Sequence, residues 1–215
     1  MAAKTLQDVI ALLEKQEKRI QVLEDVREIC NMMGRYIYKH EVHKDTEFLN
    51  TIFADRDDIS WEVANFGVYW GKKGVKRTLD AHSGIKVEGA KAVPPPMENP
   101  GMMIMHTLTT PVVEIAGDGK TAKGVWISPG HETGFDKELG RPRGEWAWTK
   151  YGCDFIKENG KWKLWHYHVY RIFRTPYDMD WALEYEPKKE AARKSGEGPG
   201  PGETTGEFRA PALRR

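Results

Sequence analysis

The sequence predicts an α+β domain in which a curved antiparallel sheet closes over N-terminal helices. Helical periodicity fills the start of the chain, strand-like patterns fill residues 102–173, and the two never alternate as a doubly wound sheet requires. The segments GDGK (117–120) and ENGK (158–161) join neighbouring strand patterns as hairpin turns, with glycine supplying positive φ. A long sheet wrapped over helices makes a cone with one open end, which holds a single small-molecule pocket.

Taken in order, residues 4–23 set Leu6, Val9, Ile10, Leu12, Leu13, Ile20 and Leu23 on one helical stripe. A second helix is expected from Asp25 to Lys44, burying Val26, Ile29, Cys30, Met33, Tyr36, Ile37 and His40. A third, TEFLNTIFA, opens after Asp45, a natural N-cap. In DISWEVA, Ile59, Trp61 and Val63 alternate with polar residues and give a strand. GKKGVKRTLDAHS reads as a brief helix followed by a loop, and the proline-rich segment before residue 101 suits neither helix nor central strand. Strands follow at 102–116, 121–129, 146–157 and 161–173. The glycine- and proline-rich end reads as an extended or disordered tail. The expected organisation is a helical extension (1–23), one domain (24–181) and the tail (182–215).

The 33 basic and 32 acidic side chains leave a formal charge of +1, which argues against a nucleic-acid partner or a membrane-surface binder. No apolar run approaches the roughly 20 residues a bilayer demands, and the charged start lacks the apolar core of a signal peptide. Cys30 and Cys153 are too few for a disulfide framework and read as buried thiols in a reduced cytoplasm. Eight Trp, eight Tyr and seven Phe in so polar a chain point to an aromatic-lined cavity or a large contact surface. No phosphate loop, dinucleotide fingerprint or serine-hydrolase elbow is present in the sequence.

The runs RYIYKHEVHKDTEFLNTIFAD, SWEVANFGVYWGKKGVKR, MHTLTTPVVEIAGDGKTAKGVW and KYGCDFIKENGKWKLWHYHVY, in that order, resemble the SnoaL-like branch of the NTF2-like superfamily over about residues 24–175. The resemblance implies an NTF2-like cone. It is nearest to the scytalone dehydratase and bile-acid dehydratase type, and similar in type to a lignin diarylpropane lyase that needs no cofactor. Such enzymes place a Tyr and an acid on a helix, facing a His on the third strand. Here the helix offers Tyr36 with Glu41, or Tyr38 with His43, and the family's frequent Asp on the penultimate strand falls on Cys153.

A two-residue period carried on from Trp162 and Leu164 sets His166, His168 and Tyr170 on the inner face, and Trp165 and Tyr167 on the outer one. The expected catalytic group is His106, His168, Tyr36, Tyr38, His40 and Glu41. Substrate would be held by Trp61, Asn65, Phe66, Tyr69, Trp126, Tyr151, His166, Tyr170 and Arg174. An imidazole exchanges protons near neutrality, and a phenol orients an oxygen. His82 and His131 fall in loops and receive no role. The expected reaction is a cofactor-independent, acid–base elimination on a hydroxylated aromatic or polycyclic metabolite, with loss of water and, for a diarylpropane, of formaldehyde. Both faces of the last strands are rich in aromatics, so Trp146, Trp148, Trp165 and Tyr167 are expected in a subunit interface, of a trimer before a dimer. The competing readings are a non-catalytic small-molecule binder of the same fold, and a metal enzyme using His106, His166 and His168.

Overall fold

The computed structural model describes residues 5–64, 66–83, 101–136 and 138–182. The proline-rich segment, Asn65 and nearly all of the expected tail lie outside them. The first two expected helices are one: α1 runs unbroken over Leu6–His40. Neither proline nor glycine stands near Asp25 to interrupt it. A capping box starts it, with Asp8 N–H donating to the Thr5 hydroxyl and Thr5 N–H to the Asp8 carboxylate. From Asp25 onward one face is buried, through Ile29, Met32, Met33, Tyr36 and Ile37. A 3₁₀ turn at Asp45–Glu47 leads into α2 (Phe48–Thr51). Strands β1 (Ser60–Val63) and β2 (Gly67–Trp70) precede α3 (Gly71–His82).

The expected strand over 102–116 is two, β3 (Ile104–His106) and β4 (Thr109–Ile115). Likewise β5 (Thr121–Ser128) is followed at once by β6 (Gly130–Asp136). Between them sits Pro129, which has no N–H to give a ladder. The long pair β7 (Arg141–Glu158) and β8 (Lys161–Pro176) closes through Asn159 and Gly160, both at positive φ as a primed turn requires. The sheet order is β2-β1-β8-β7-β5-β4, with β6 paired along the other half of β7 and β3 paired to β6. It is a mixed sheet, because β1 joins β8 in parallel.

One irregularity reassigns the faces of β8. Leu164 pairs with Phe155, yet His166 pairs with Asp154, so Trp165 is an extra residue. Beyond that bulge the buried apolar positions are Tyr167 and Val169. His166, His168 and Tyr170 therefore sit on the outer face, opposite to expectation, and Tyr167 leaves the expected interface set for the core. Inside the cone, Tyr36, Phe48, Phe53, Phe155, Trp162 and Leu164 pack between the helices and the sheet.

Candidate active site

Histidines gather where the end of α1 meets the broken edge of the sheet. His40 is the last residue of α1 and its Nδ1–H donates to the buried carboxylate of Asp45 at 2.6 Å. The 3₁₀ turn turns Asp45 inward, so it is a ligand for His40 rather than a side-chain cap. Burial alone would lower His40. The charge and hydrogen bond of Asp45, aided by Glu132 and Glu41, outweigh that and raise its pKa, favouring the imidazolium. The ring of His40 stacks on Tyr36 at 5.6 Å between centroids, and Tyr36 shares a 2.6 Å hydrogen bond with Tyr167.

Facing it is His106, at the end of β3, with 6.0 Å between the two imidazole centroids. Its Nε2–H donates to Glu132 Oε1 at 2.9 Å. Glu132 also accepts from Arg174 at 2.9 Å, and Arg174 in turn bonds to Glu145. Burial pushes Glu132 up, but the His106 hydrogen bond and the charges of Arg174 and Arg171 hold it down at about 2. A carboxylate can only accept, so Nε2 of His106 carries a hydrogen, and in the neutral ring the lone pair then lies on Nδ1. That nitrogen is buried without a hydrogen-bond partner among the described residues. Gly130 lies against it: a Cβ there would stand 2.5 Å from Nδ1.

His82 closes the third side, 5.9 Å from His40 and 5.3 Å from Trp61 by ring centroids. Burial, followed by the charge of His40, lowers it to about 4, so it is neutral at pH 7. His43 donates from Nδ1 to the His82 carbonyl at 2.8 Å, and burial lowers it too. Trp61, stacked on Tyr167, together with Tyr69, Trp126 and Tyr151, supplies aromatic surface on the same face of the sheet. Tyr36, Tyr151 and Tyr167 are pushed upward, mainly by burial, and stay neutral donors. The arrangement juxtaposes an imidazole biased toward the proton-carrying form and one whose Nδ1 has no hydrogen-bond partner among the described residues. Two neighbouring imidazoles of this kind can give a proton and take one.

Of the expected residues, Tyr36, His40, His106, Trp61, Tyr69, Trp126, Tyr151 and Arg174 lie on this side of the sheet. Phe66 is half-buried against the core, and Asn65 lies outside the described residues. Tyr38 is 75% exposed and points away from Tyr36. Glu41 caps the end of α1 and reaches His40 only as a charge. His168 faces Glu62 at 3.4 Å, and His166 is held by Asp154 and the Asp58 carbonyl. Because both stand on the outer face, the three-histidine metal reading does not assemble. Among the described residues, no group of three His, Cys, Asp or Glu is placed to hold a metal ion. Reading the sequence missed Asp45 as a partner, Glu132, Glu145 and His82. The one signal in it was His40-x₄-Asp45, which spans a helix end.

The sequence matches the SnoaL-like domain over residues 21–168. The chain belongs to that family. No curated protein matches it. Among solved structures, it is similar to a protein of Novosphingobium aromaticivorans provisionally designated a scytalone dehydratase. The identity is 16%, the TM-score 0.56, and the match covers 75% of this chain and 93% of that one. It is also similar to LinA, at 15% identity and TM-score 0.55 over 75% and 95% of the two chains. A hexachlorocyclohexane dehydrochlorinase of LinA type 3 from Novosphingobium barchaimii gives 17% identity and TM-score 0.53 over 75% and 96%. At these identities the likeness to solved structures establishes the fold alone.

Proposed function

We propose that this SnoaL-like protein is a cofactor-independent lyase that eliminates water from a hydroxylated aromatic or polycyclic metabolite. The observation carrying the reading is the pair of imidazoles 6.0 Å apart, each hydrogen-bonded to its own carboxylate. His106 Nδ1 takes the proton from the carbon beside the carbinol, and that C–H pair becomes the new double bond. The hydroxyl leaves with its electron pair and picks up the proton of His40, departing as water. Solvent exchange then restores His106 to the neutral form and His40 to the charged form. Tyr36 lies against His40 and Trp61 against His82, and aromatic contacts of this kind are worth about 0.5–1.5 kcal/mol each. For a lignin-derived diarylpropane bearing a hydroxymethyl group, His106 removes the hydroxymethyl O–H proton instead. The C–C bond breaks to release formaldehyde, and its electrons form the double bond as the benzylic hydroxyl leaves.

Aromatic-compound catabolism in the cytoplasm and a homo-oligomeric assembly, a trimer before a dimer, belong to the same reading. Support for assembly comes from the outer sheet face, where Trp70, Tyr170 and Ile172 are exposed. No helix among the described residues is long and apolar enough to cross a membrane. A plain binding protein has no need of two carboxylate-held imidazoles side by side, which favours the enzyme. The test is incubation with a panel of benzylic alcohols and diarylpropane diols, following loss of water by mass and formaldehyde by trapping. On the substrate so found, H106A and H40A are expected to lose at least about 100-fold in kcat, and H168A to keep it. Full turnover by H106A would sink the assignment.

A further inference from the structure

The first half of α1 is unaccounted for by the domain. Residues 5–24 are exposed without interruption, and burial starts at Asp25, which Lys157 holds at 2.6 Å. At about 1.5 Å per residue, Leu6–Glu24 projects about 28 Å. Along it Leu6, Val9, Leu13, Gln16, Ile20 and Leu23 recur at alternating steps of three and four residues. The apolar members of that row are 39–77% exposed. This spacing averages 3.5, the period of a left-handed coiled coil rather than that of a helix lying on a globular core.

We propose that the Leu6–Glu24 segment forms a parallel, in-register coiled coil with the same segment of a second copy of this chain. Charge supports the choice of occupant. With the row at the a and d positions, Arg19 falls at g and Glu24 at the e position of the next heptad. In a parallel pair Arg19 of each copy faces Glu24 of the other, twice by symmetry. Gln16 sets the register. Aligned copies bring the two Gln16 amides together to bond each other, whereas a pair slipped by one heptad sets them against Val9 and Leu23 with their hydrogen bonds unmade. The capping box at Thr5 starts the helix immediately before the first seam residue, so the whole seam is helical. An isolated helix of this length is marginal in water, and pairing supplies what the domain does not.

The full chain is used for the test. Sedimentation equilibrium is expected to give the mass of an assembly, and L13E/I20E to weaken association by roughly 100-fold or more. The unfolding midpoint of the domain is expected to stay put, because those residues touch no core. R19E is expected to weaken association and R19E/E24R to restore it. Under mild oxidation Q16C is expected to give a covalent dimer, while K15C, on the far side of the helix, and the wild type do not. A wild-type chain that sediments as a monomer, with its own residues 183–215 as the remaining cover for the seam, overturns the proposal. So does L13E/I20E with undiminished association, or cross-linking of K15C equal to that of Q16C.

Discussion

Replacing Gly130 by alanine tests the site through one methyl group. The added Cβ would stand 2.5 Å from His106 Nδ1 and 2.5 Å from the Ala147 carbonyl oxygen. An ordinary carbon contact at those atoms is about 3.4 Å or more, so something must move by about 1 Å. The carbonyl belongs to β7, whose strand is paired on both sides, so the imidazole is the part that yields. Overpacking of this kind costs about 1–3 kcal/mol, against the roughly 0.4–1 kcal/mol that Gly→Ala returns at an unstrained site. Misplacing a reacting group by about 1 Å costs about 100-fold in rate. The assays are thermal unfolding, kcat on the panel substrate, and ¹⁵N spectra of labelled imidazoles, which need no substrate. The wild type is expected to show His106 as the Nε2–H tautomer, with the signal shifted in G130A. An unchanged imidazole spectrum together with an unchanged unfolding midpoint would show that Gly130 does not lie against the base.

The remaining predictions concern its neighbours. E132Q can present an amide donor to His106, so the Nδ1–H tautomer should appear in the same spectra and kcat should fall with little change in KM. Y36F removes the 2.6 Å bond to Tyr167 and leaves a buried hydroxyl short of a partner, at about 1–3 kcal/mol by chemical denaturation. His82 is lowered from 6.5 to about 4, so the stability it lends is present above pH 6.5 and is lost as pH falls toward 4. H82L should flatten that limb of the unfolding midpoint against pH, and parallel curves for the two proteins would remove His82 from the account. His40 is raised, so its stabilising pair with Asp45 is complete below pH 6.5 and is lost as pH rises through the higher folded value. D45N should remove that alkaline loss.

The helix-then-sheet order was legible from periodicity, and the hairpin at Gly160 from its turn residues. The face of His166 and His168 was not. Trp165, His166, Tyr167 and His168 furnish both sides of β8 equally, so no change of hydropathy marks the extra residue that inverts the strand. The acids escaped for another reason. Asp45 follows a helix end, where a short acidic residue reads as a cap, and Glu132 lies in HETGFD, too polar to be read as a strand. Both became visible only once the sheet edge folded back toward α1. Tyr36 and Tyr38 were equivalent as sequence, and the helix phase divides them, one against Tyr167 and the other toward water.

Strand β7 has a consequence for motion. Its Thr149–Ile156 half is laced to β5, while its Arg141–Trp146 half is laced to β6, and nothing but Pro129 links those two partners end to end. The two halves can therefore loosen independently. Parting β6 from β7 would carry Glu132 and, through the β3–β6 ladder, His106 away together from Arg174 and His40, while the hydrophobic centre around Phe155 and Leu164 stayed shut. Amide exchange should then be faster across residues 130–136 than across 121–128, and the reaction centre would be armed or disarmed without the protein unfolding.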